Sequence, residues 1–125
     1  MQFSAILFAT IVSVYDGDTF KVNLPCEMDV ICKNIPVRIE HIDTPEIRSV
    51  CVDDHARAYE KIPAQQAKDI TQKILLPGMV ITLAHPKRDK YFRLLAEVPL
   101  VTAELMKAGV AHLYEGGKKS SWCTL

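Results

Sequence analysis

The segment FATIVSVYDGDTFKVNL, at residues 8–24, carries the clearest structural signal in the chain. Phe8 to Tyr15 is rich in β-branched and aromatic residues, and a second run with strand character extends from Thr19 to Leu24. The Asp16-Gly17 pair lies between them, and Asp-Gly between two hydrophobic runs is the strongest short-range signal for a β-hairpin. We therefore predict two antiparallel strands joined by this turn.

A third strand is predicted over Ile35–Ile42, after a polar connection from Pro25 to Asn34. Alternation along that strand places Arg38 on the face opposite Val37. Thr44-Pro45 should end the strand, because proline removes a ladder donor and restricts the residue before it.

The second half of the chain predicts a helix, two strands and a second helix. These elements are expected at Pro63–Leu76, Met79–Ala84, Phe92–Val98 and Val101–Ala108. Pro63 suits the first turn of a helix, and Gly109 suits a left-handed C-terminal cap. The polar residues 47–62 have room for one helical turn at His55–Lys61, and the basic loop His85–Tyr91 joins the two strands.

The order of three strands, helix, two strands and helix is that of a five-stranded Greek-key barrel of the OB type. We therefore predict a mainly β fold with helices (α+β), in which an OB-fold barrel carries two to three helices. At 125 residues and 49% hydrophobic composition, the chain fits one domain, residues 1–125, with one core.

The formal net charge of zero provides no global basic excess of the kind that favours nucleic-acid binding. The charges are nevertheless uneven, because residues 1–62 carry 6 basic and 10 acidic side chains and residues 63–125 carry 9 basic and 5 acidic ones. In one interpretation the acidic half gathers a metal ion and the basic half meets a polyanion. In the other, both halves are ordinary solvated faces, and charge alone leaves both open.

The apolar opening Met1–Ala9 lacks a basic n-region and runs directly into the Asp16 turn, so we interpret it as the first strand behind a short leader and not as a signal peptide. A cytoplasmic location is the default expectation, and a secreted or periplasmic one would apply to a trimmed mature chain. No apolar stretch approaches the length of a membrane span. We expect a monomer without membrane association or an obligate protein partner.

The four cysteines, Cys26, Cys32, Cys51 and Cys123, lack paired C-x-x-C spacing, so a zinc site is not expected. Cys26 and Cys32 share one predicted connection and would form either a disulfide or two buried thiols. The compartment decides between disulfides and thiols, and the sequence alone leaves both open.

Asp18 and Asp43 each lie at a predicted strand end, and such ends can converge in a small barrel. Two carboxylates with a backbone carbonyl such as that of Thr44 make a hard oxygen site that suits calcium or magnesium. Taken singly, an Asp beside Gly is usually a turn former, and Asp43 would cap its own loop. The co-occurrence of these residues with two arginines favours the metal site.

Arg38 and Arg93 lie within or at the start of predicted strands, where a permanent charge needs an anion or a carboxylate partner. Two guanidinium groups would hold non-bridging phosphate oxygens and neutralise the charge that develops at phosphorus. In the alternative, each is a surface arginine paired with a glutamate. Glu46 follows Asp43 by three residues and is the candidate general base for an attacking water, or otherwise a solvated loop residue.

Three segments of the chain resemble, in order, the signature segments of the staphylococcal nuclease (thermonuclease) family. They are Val14–Thr19, Val37–Glu46 and Asp89–Ala96. Glu104–Ala111 is similar to the helix that follows in that family, and the resemblance spans about residues 8–114. It implies a calcium-dependent OB-fold endonuclease that hydrolyses phosphodiester bonds of DNA and RNA with little sequence specificity and leaves 3′-phosphate ends. Magnesium and manganese suit the same ligands.

The same resemblance assigns a role to each matched position. The implied metal ligands are Asp18, Asp43 and the backbone of Thr44, with Asp16 just outside them. The implied catalytic residues are Arg38, Glu46 and Arg93, and the implied contacts to a terminal phosphate are Lys90 and Tyr91.

Departures from the family pattern affect the rim where substrate would bind. Phe92 replaces a usual glycine, and the Trp122-Cys123 tail resembles a bacterial subgroup of the family, which implies that Cys51 and Cys123 are neighbours. Tyr114 is the candidate for stacking on a base, with packing against the barrel as its alternative role. The competing function is a non-catalytic nuclease-like OB module that binds single-stranded nucleic acid or peptide, as degenerate members of the family do.

Overall fold

The hairpin predicted around Asp16-Gly17 is present in the computed structural model, which describes residues 6–91, 93–116 and 122–123. Its strands are β1 (Ile6–Val14) and β2 (Thr19–Asn23), which pair antiparallel with Val14 opposite Phe20. The sequence-based expectations for the short leader and for Phe92 lie outside the described residues.

Five strands of the described residues close a barrel. After β1 and β2, the elements in chain order are α1 (Asp29–Cys32), β3 (Ile35–Ile39), β4 (Ile42–Asp43), α2 (Asp54–Ile74), β5 (Val80–Arg88), β6 (Leu94–Glu97), α3 (Pro99–Lys107) and β7 (His112–Leu113). The barrel order is β1-β2-β3-β6-β5, with β3 and β6 parallel and the other neighbours antiparallel. The predicted five-stranded barrel with helices is confirmed.

Apolar side chains from alternate strand positions fill the barrel. Those with almost no exposed surface include Ile11, Phe20, Val22, Val37, Ile39 and Leu83. The helix α2 lies close against the hairpin turn, since a Cβ added at Gly17 would stand 2.7 Å from the Cβ of Ala67. The Thr71 hydroxyl of α2 also donates to the Gly17 carbonyl across 2.7 Å. Helix and turn are thereby held in contact, which fixes the backbone that carries Asp16 and Asp18.

The third strand is shorter than the predicted Ile35–Ile42. It ends at Ile39, and the chain turns at residues 40–41, where His41 has a left-handed φ of +74°. Ile42 and Asp43 then form the separate strand β4, which pairs with β7. The prediction was wrong because no glycine or proline marks the turn, although the apolar positions do change parity there, from Val37 and Ile39 to Ile42. Asp43 consequently lies opposite His112 and not within the barrel.

The helix α2 begins at Asp54, and the predicted start at Pro63 is wrong. Asp53 caps the helix by accepting the N–H of Ala56 across 3.3 Å. Pro63 therefore lies inside the helix, where a proline costs about 3 kcal/mol. A buried stripe on both sides of the proline offsets that cost, and it consists of Glu60, Ala64, Ala67 and Thr71. Neither α2 nor any other helix of the described residues is long and apolar enough to cross a membrane.

Other boundaries differ from the predictions by a few residues. β5 continues through part of the predicted basic loop as far as Arg88. The last helix starts at Pro99, and Gly109 follows it with the expected left-handed φ of +74°. The connection predicted at Pro25–Asn34 contains α1 and a Cys26–Cys32 disulfide.

Candidate active site

Arg38 lies at the centre of the site and joins three segments of the chain. Its Nη2 lies 3.3 Å from Asp18 Oδ2 and 3.6 Å from Asp43 Oδ1, and it donates to the Ile42 carbonyl across 3.1 Å. Only 8% of Arg38, 5% of Asp18 and 3% of Asp43 is exposed. Removing one partner from a buried ion-pair cluster leaves a charge without compensation. The three side chains therefore depend on one another.

The hairpin turn sets the position of Asp18. The Asp16 carboxylate accepts the N–H of Asp18 across 3.2 Å and also accepts the Thr19 hydroxyl. The Asp18 carbonyl accepts the N–H of Ile39 across 2.8 Å, which ties the turn to the end of β3. Asp16 thus holds the backbone of the turn, while Asp18 presents its carboxylate to Arg38.

Two buried carboxylates, Asp18 and Asp43, flank Arg38, and a third, Asp16, lies beside Asp18, so that their combined charge exceeds that of the guanidinium group. Burial raises the pKa of the Asp18 carboxyl well above its usual range, and the charge and hydrogen bonding of Asp16 raise it further. The charge of Arg38 opposes this rise, and that of Asp43 adds to it. A site with this excess of negative charge favours an added cation.

The oxygen atoms of this cluster are suitable ligands for a hard divalent cation. The carboxylates of Asp18 and Asp43 meet at Arg38, and Thr44, which follows Asp43, is 2% exposed. Calcium and magnesium bind carboxylate and carbonyl oxygens. These residues fit such an ion because they offer only oxygen ligands and carry more negative charge than Arg38 neutralises.

A cavity of about 300 Å³ opens beside Arg38. Its walls consist of Tyr15, Asp16, Asp18, Thr19, Phe20, Lys21, Pro36, Arg38, Glu46 and Arg93. The structure therefore brings both predicted arginines, the predicted general base and one predicted metal ligand to a single space, although they come from distant parts of the sequence.

Glu46 is anchored through its backbone to Glu60 of α2. The N–H of Glu46 donates to Glu60 Oε2 across 2.7 Å, and the Ser49 hydroxyl donates to Glu60 Oε1 across 2.5 Å. Glu60 is 3% exposed. Sequence reasoning missed this residue, because it is recognisable only as a charged member of the buried stripe of α2, and the predicted helix began after it.

Asp89 holds the guanidinium group of Arg93. Its Oδ2 lies 2.8 Å from Arg93 Nε, and its Oδ1 accepts the N–H of Tyr91 across 2.8 Å and that of Arg93 across 2.9 Å. Burial alone would raise the pKa of Asp89, but these hydrogen bonds and the charge of Arg93 hold that pKa below its usual range. Arg93 is thereby oriented while about a third of its side chain, 34%, remains exposed.

Three predicted nucleic-acid contacts lie beside the arginines. The Tyr91 ring is 66% exposed, and its centroid is 5.2 Å from Lys90 Nζ and 5.7 Å from Arg93 Cζ. The Tyr114 ring lies 5.4 Å from Arg38 Cζ, and the Tyr114 N–H donates to the His41 carbonyl across 2.8 Å. Tyr91 and Tyr114 therefore each lie next to one of the two arginines.

Trp122 is a second residue that sequence reasoning did not place in the site. Its indole Nε1 donates to Asp43 Oδ2 across 3.1 Å, and its ring stacks on His112 with centroids 3.8 Å apart and planes within 6°. The next residue, Cys123, forms a disulfide with Cys51. The sequence signal was the Trp122-Cys123 pair itself, which predicted a link to Cys51 but no contact with Asp43.

Cys51, Glu60 and Cys123 come within 4.8 Å of one another through their sulfur and oxygen atoms. They are not a metal site, because the two sulfurs are bonded to each other and have no thiolate to offer. The cluster instead places the disulfide against the carboxylate that anchors Glu46.

Comparison with protein families identifies one relationship. The family model described as staphylococcal nuclease homologue matches residues 36–122. That range contains Arg38, Asp43, Glu46, Arg93 and Trp122, and it begins after the hairpin that carries Asp18. No curated protein matches the chain by sequence.

Proposed function

Because the chain belongs to the family of staphylococcal nuclease homologues, we propose that it is a metal-dependent endonuclease that hydrolyses phosphodiester bonds of DNA and RNA. The family match supports a nuclease-like module that acts on nucleic acid. The observation that carries the catalytic proposal is the convergence of Arg38, Glu46 and Arg93 on the cavity beside Asp18.

In this proposal the two arginines bind the scissile phosphate. Arg38 is held by buried carboxylates and Arg93 by Asp89, so neither guanidinium group has to be ordered when substrate arrives. Guanidinium groups pair with non-bridging phosphate oxygens, and their charge gains value as negative charge develops at phosphorus. Arg93, which is the more exposed of the two, stabilises the departing oxygen.

Glu46 serves as the general base. A water molecule attacks phosphorus in line with the 5′-oxygen, and its proton passes to the Glu46 carboxylate. The bond from phosphorus to the 5′-oxygen breaks, and that oxygen takes up a proton from solvent water. The products are then a 3′-phosphate and a 5′-hydroxyl. The hydrogen bond from the Glu46 N–H to Glu60 limits the movement of this base relative to the arginines.

Asp18, Asp43 and the Thr44 carbonyl are the proposed ligands of the metal ion, with Asp16 holding the turn behind them. A divalent cation, when bound, supplies positive charge that polarises the phosphate. Calcium is the ion proposed from the family, and magnesium and manganese accept the same oxygen ligands.

The proposed substrate contacts are directed at phosphate and carry little base specificity. Contacts to phosphate position a nucleic acid without reading its sequence. Lys90 and Tyr91, beside Arg93, would bind a terminal phosphate, and Tyr114, beside Arg38, would stack on a base. We therefore expect cleavage of both DNA and RNA at many sites.

The test is incubation of the protein with single-stranded DNA, duplex DNA and RNA under calcium, magnesium, manganese and chelator, followed by identification of the product ends. We expect cleavage with calcium, none with chelator, and 3′-phosphate ends. Glu46→Gln should reduce turnover by orders of magnitude, whereas Glu104→Gln, on the exposed surface of α3, should not. Binding without metal-stimulated cleavage would contradict the proposal and support a nuclease-like binding module.

A further inference from the structure

We infer that Trp122 is a positioning residue for the metal site, which it serves by fixing the carboxylate of Asp43 while the Cys51–Cys123 disulfide holds it in place. The inference rests on the proposed function only in treating Asp43 as a metal ligand. The contacts of Trp122 with Asp43 and His112 are features of the structure itself.

The two oxygens of Asp43 face different groups. Oδ2 accepts the Trp122 indole N–H across 3.1 Å, while Oδ1 lies 3.6 Å from Arg38 Nη2. The hydrogen bond at Oδ2 and the charge of Arg38 on the side of Oδ1 together restrict rotation of the carboxylate about its last bond. An indole N–H is a neutral donor that cannot accept a hydrogen bond or ligate a cation. Trp122 therefore orients Asp43 without cancelling the charge that would attract a metal ion, as a second arginine would.

His112 sets the distance between the indole and Asp43. It lies opposite Asp43 in the β4–β7 pair, and residues opposed in this way have Cβ atoms about 4.5–5.5 Å apart. The Trp122 ring lies parallel to the His112 ring at 3.8 Å. The β4–β7 pairing thus fixes the position of the His112 ring. Stacking on that ring keeps the Trp122 indole next to the Asp43 carboxylate.

The disulfide holds Trp122 against the His112 ring. Cys123 is the next residue, and its bond to Cys51 closes a separation of 72 residues. Ordering a segment of backbone costs conformational entropy, and a covalent tie lowers that cost. The Cys51 N–H donates to Ser49 Oγ across 3.1 Å, and Ser49 donates to Glu60. The disulfide that holds Trp122 is therefore linked through Ser49 to Glu60, which also binds the Glu46 backbone.

The first test measures calcium binding by titration calorimetry without nucleic acid, comparing the intact protein with Trp122→Phe. Phenylalanine keeps an aromatic ring for His112 but removes the N–H. Loss of such a supporting hydrogen bond typically weakens metal affinity by roughly 10–100-fold, so we expect at least a tenfold rise in Kd for calcium at a nearly unchanged melting temperature of the metal-free protein. An unchanged Kd in a folded variant overturns the inference, as does failure of the intact protein to bind calcium, magnesium or manganese.

The second test uses the disulfide and does not depend on the folding of a Trp122 variant. In a Cys26→Ser/Cys32→Ser background, reduction opens only the Cys51–Cys123 bond, and a thiol count establishes that it is open. We expect calcium affinity to fall on reduction, and the fluorescence of Trp122, the one tryptophan in the sequence, to change with it. The oxidised background variant is the matched control and should bind calcium like the intact protein. Unchanged affinity after complete reduction overturns the inference.

The outcomes also separate this inference from the proposed function. Calcium binding that depends on Trp122 in a protein that cleaves nothing would sink the nuclease proposal and leave the positioning role intact. Calcium-dependent cleavage together with an unchanged calcium affinity in Trp122→Phe would overturn the positioning role and leave the nuclease proposal intact.

Discussion

The carboxylate of Glu60 accepts the backbone N–H of Glu46 across 2.7 Å and so connects the proposed general base to the long helix. Glu60 is buried, and it also accepts the Ser49 hydroxyl. A loop that must hold a catalytic group loses precision unless its backbone is fixed, and misplacement by about 1 Å costs roughly a hundredfold in rate. The hydrogen bonds of Glu60 therefore connect the stability of the loop with the proposed role of Glu46.

Glu60→Ala should reduce turnover much more than substrate affinity. The substitution leaves a buried N–H and a hydroxyl without their acceptor, which costs about 1–3 kcal/mol of stability. Because Glu60 does not line the cavity of the two arginines, we expect kcat to fall by roughly 10–100-fold with little change in KM. Steady-state kinetics and urea unfolding measure the two effects.

Glu60→Gln is the matched control for that prediction. Its amide oxygen can still accept the Glu46 N–H, and its NH₂ group can donate to Ser49. We expect this variant to retain most of the activity that Glu60→Ala loses. Full activity in a stably folded Glu60→Ala protein would show that the loop does not need this anchor.

Asp18→Asn should stabilise the metal-free protein at neutral pH. Burial raises the pKa of Asp18 in the folded state above its unfolded value, so the ionised carboxylate opposes folding. The contribution of protonated Asp18 to the free energy of unfolding is fully present below the ordinary Asp pKa of 3.8. It is lost as the pH rises through the raised pKa of the folded state. The advantage of Asp18→Asn should therefore be absent in acid and grow as Asp18 of the unsubstituted protein ionises.

Melting temperatures of both proteins, measured across pH in the presence of chelator, test whether Asp18→Asn gains stability as the pH rises. Added calcium should raise the melting temperature of the unsubstituted protein more than that of Asp18→Asn, because the variant lacks a proposed ligand. A melting temperature below that of the unsubstituted protein at every pH would mean that the ion pair of Asp18 with Arg38 outweighs the cost of burying the Asp18 charge.

The fold was predictable where the deciding signals are local. The Asp16-Gly17 turn and the cap at Gly109 each depend on the conformation of a few adjacent residues, and both occur in the structure. The turn at His41 was missed because no glycine or proline marks it, and the one signal was the change of the apolar positions from Val37 and Ile39 to Ile42. The early start of α2 depends on the Asp53 cap, which lies in a polar stretch whose composition resembles a loop.

The candidate site was predictable for residues whose chemistry is visible in the sequence and was hidden for those that join it through long-range contacts. Arg38 and Glu46 belong to recognisable motifs, and they do line one cavity. Glu60 and Trp122 become part of the site only after folding brings α2 and the tail to it. No local pattern reports that an indole from residue 122 will meet a carboxylate from residue 43.

Arg93→Lys should lower kcat even though it preserves the charge. Asp89 holds the guanidinium group through Nε, so that its remaining N–H groups can point to a phosphate. Lysine offers a single ammonium group and cannot make both contacts in this geometry. We expect kcat to fall by roughly 100-fold or more, measured under saturating substrate. Arg48→Lys, an exposed loop residue outside this cavity, is the matched control and should retain full activity.

Gly17→Ala should damage both stability and activity, because the turn that carries Asp16 and Asp18 has no space for a side chain. A Cβ at Gly17 would lie 2.7 Å from the Cβ of Ala67 and 3.0 Å from Thr44 Cγ2, so either the helix or the Thr44 loop has to move. Overpacking of this kind costs about 1–3 kcal/mol. Urea unfolding and cleavage assays should show both losses.

The test of that mechanism is rescue by Ala67→Gly, which removes the closest atom. If the clash is the cause, Gly17→Ala combined with Ala67→Gly should lose less stability than the two single changes added together, and part of the activity should return. The Thr44 contact remains, so the rescue should be incomplete. Strict additivity of the two substitutions would instead mean that the contacts with Thr44, and not the close approach to α2, cause the loss.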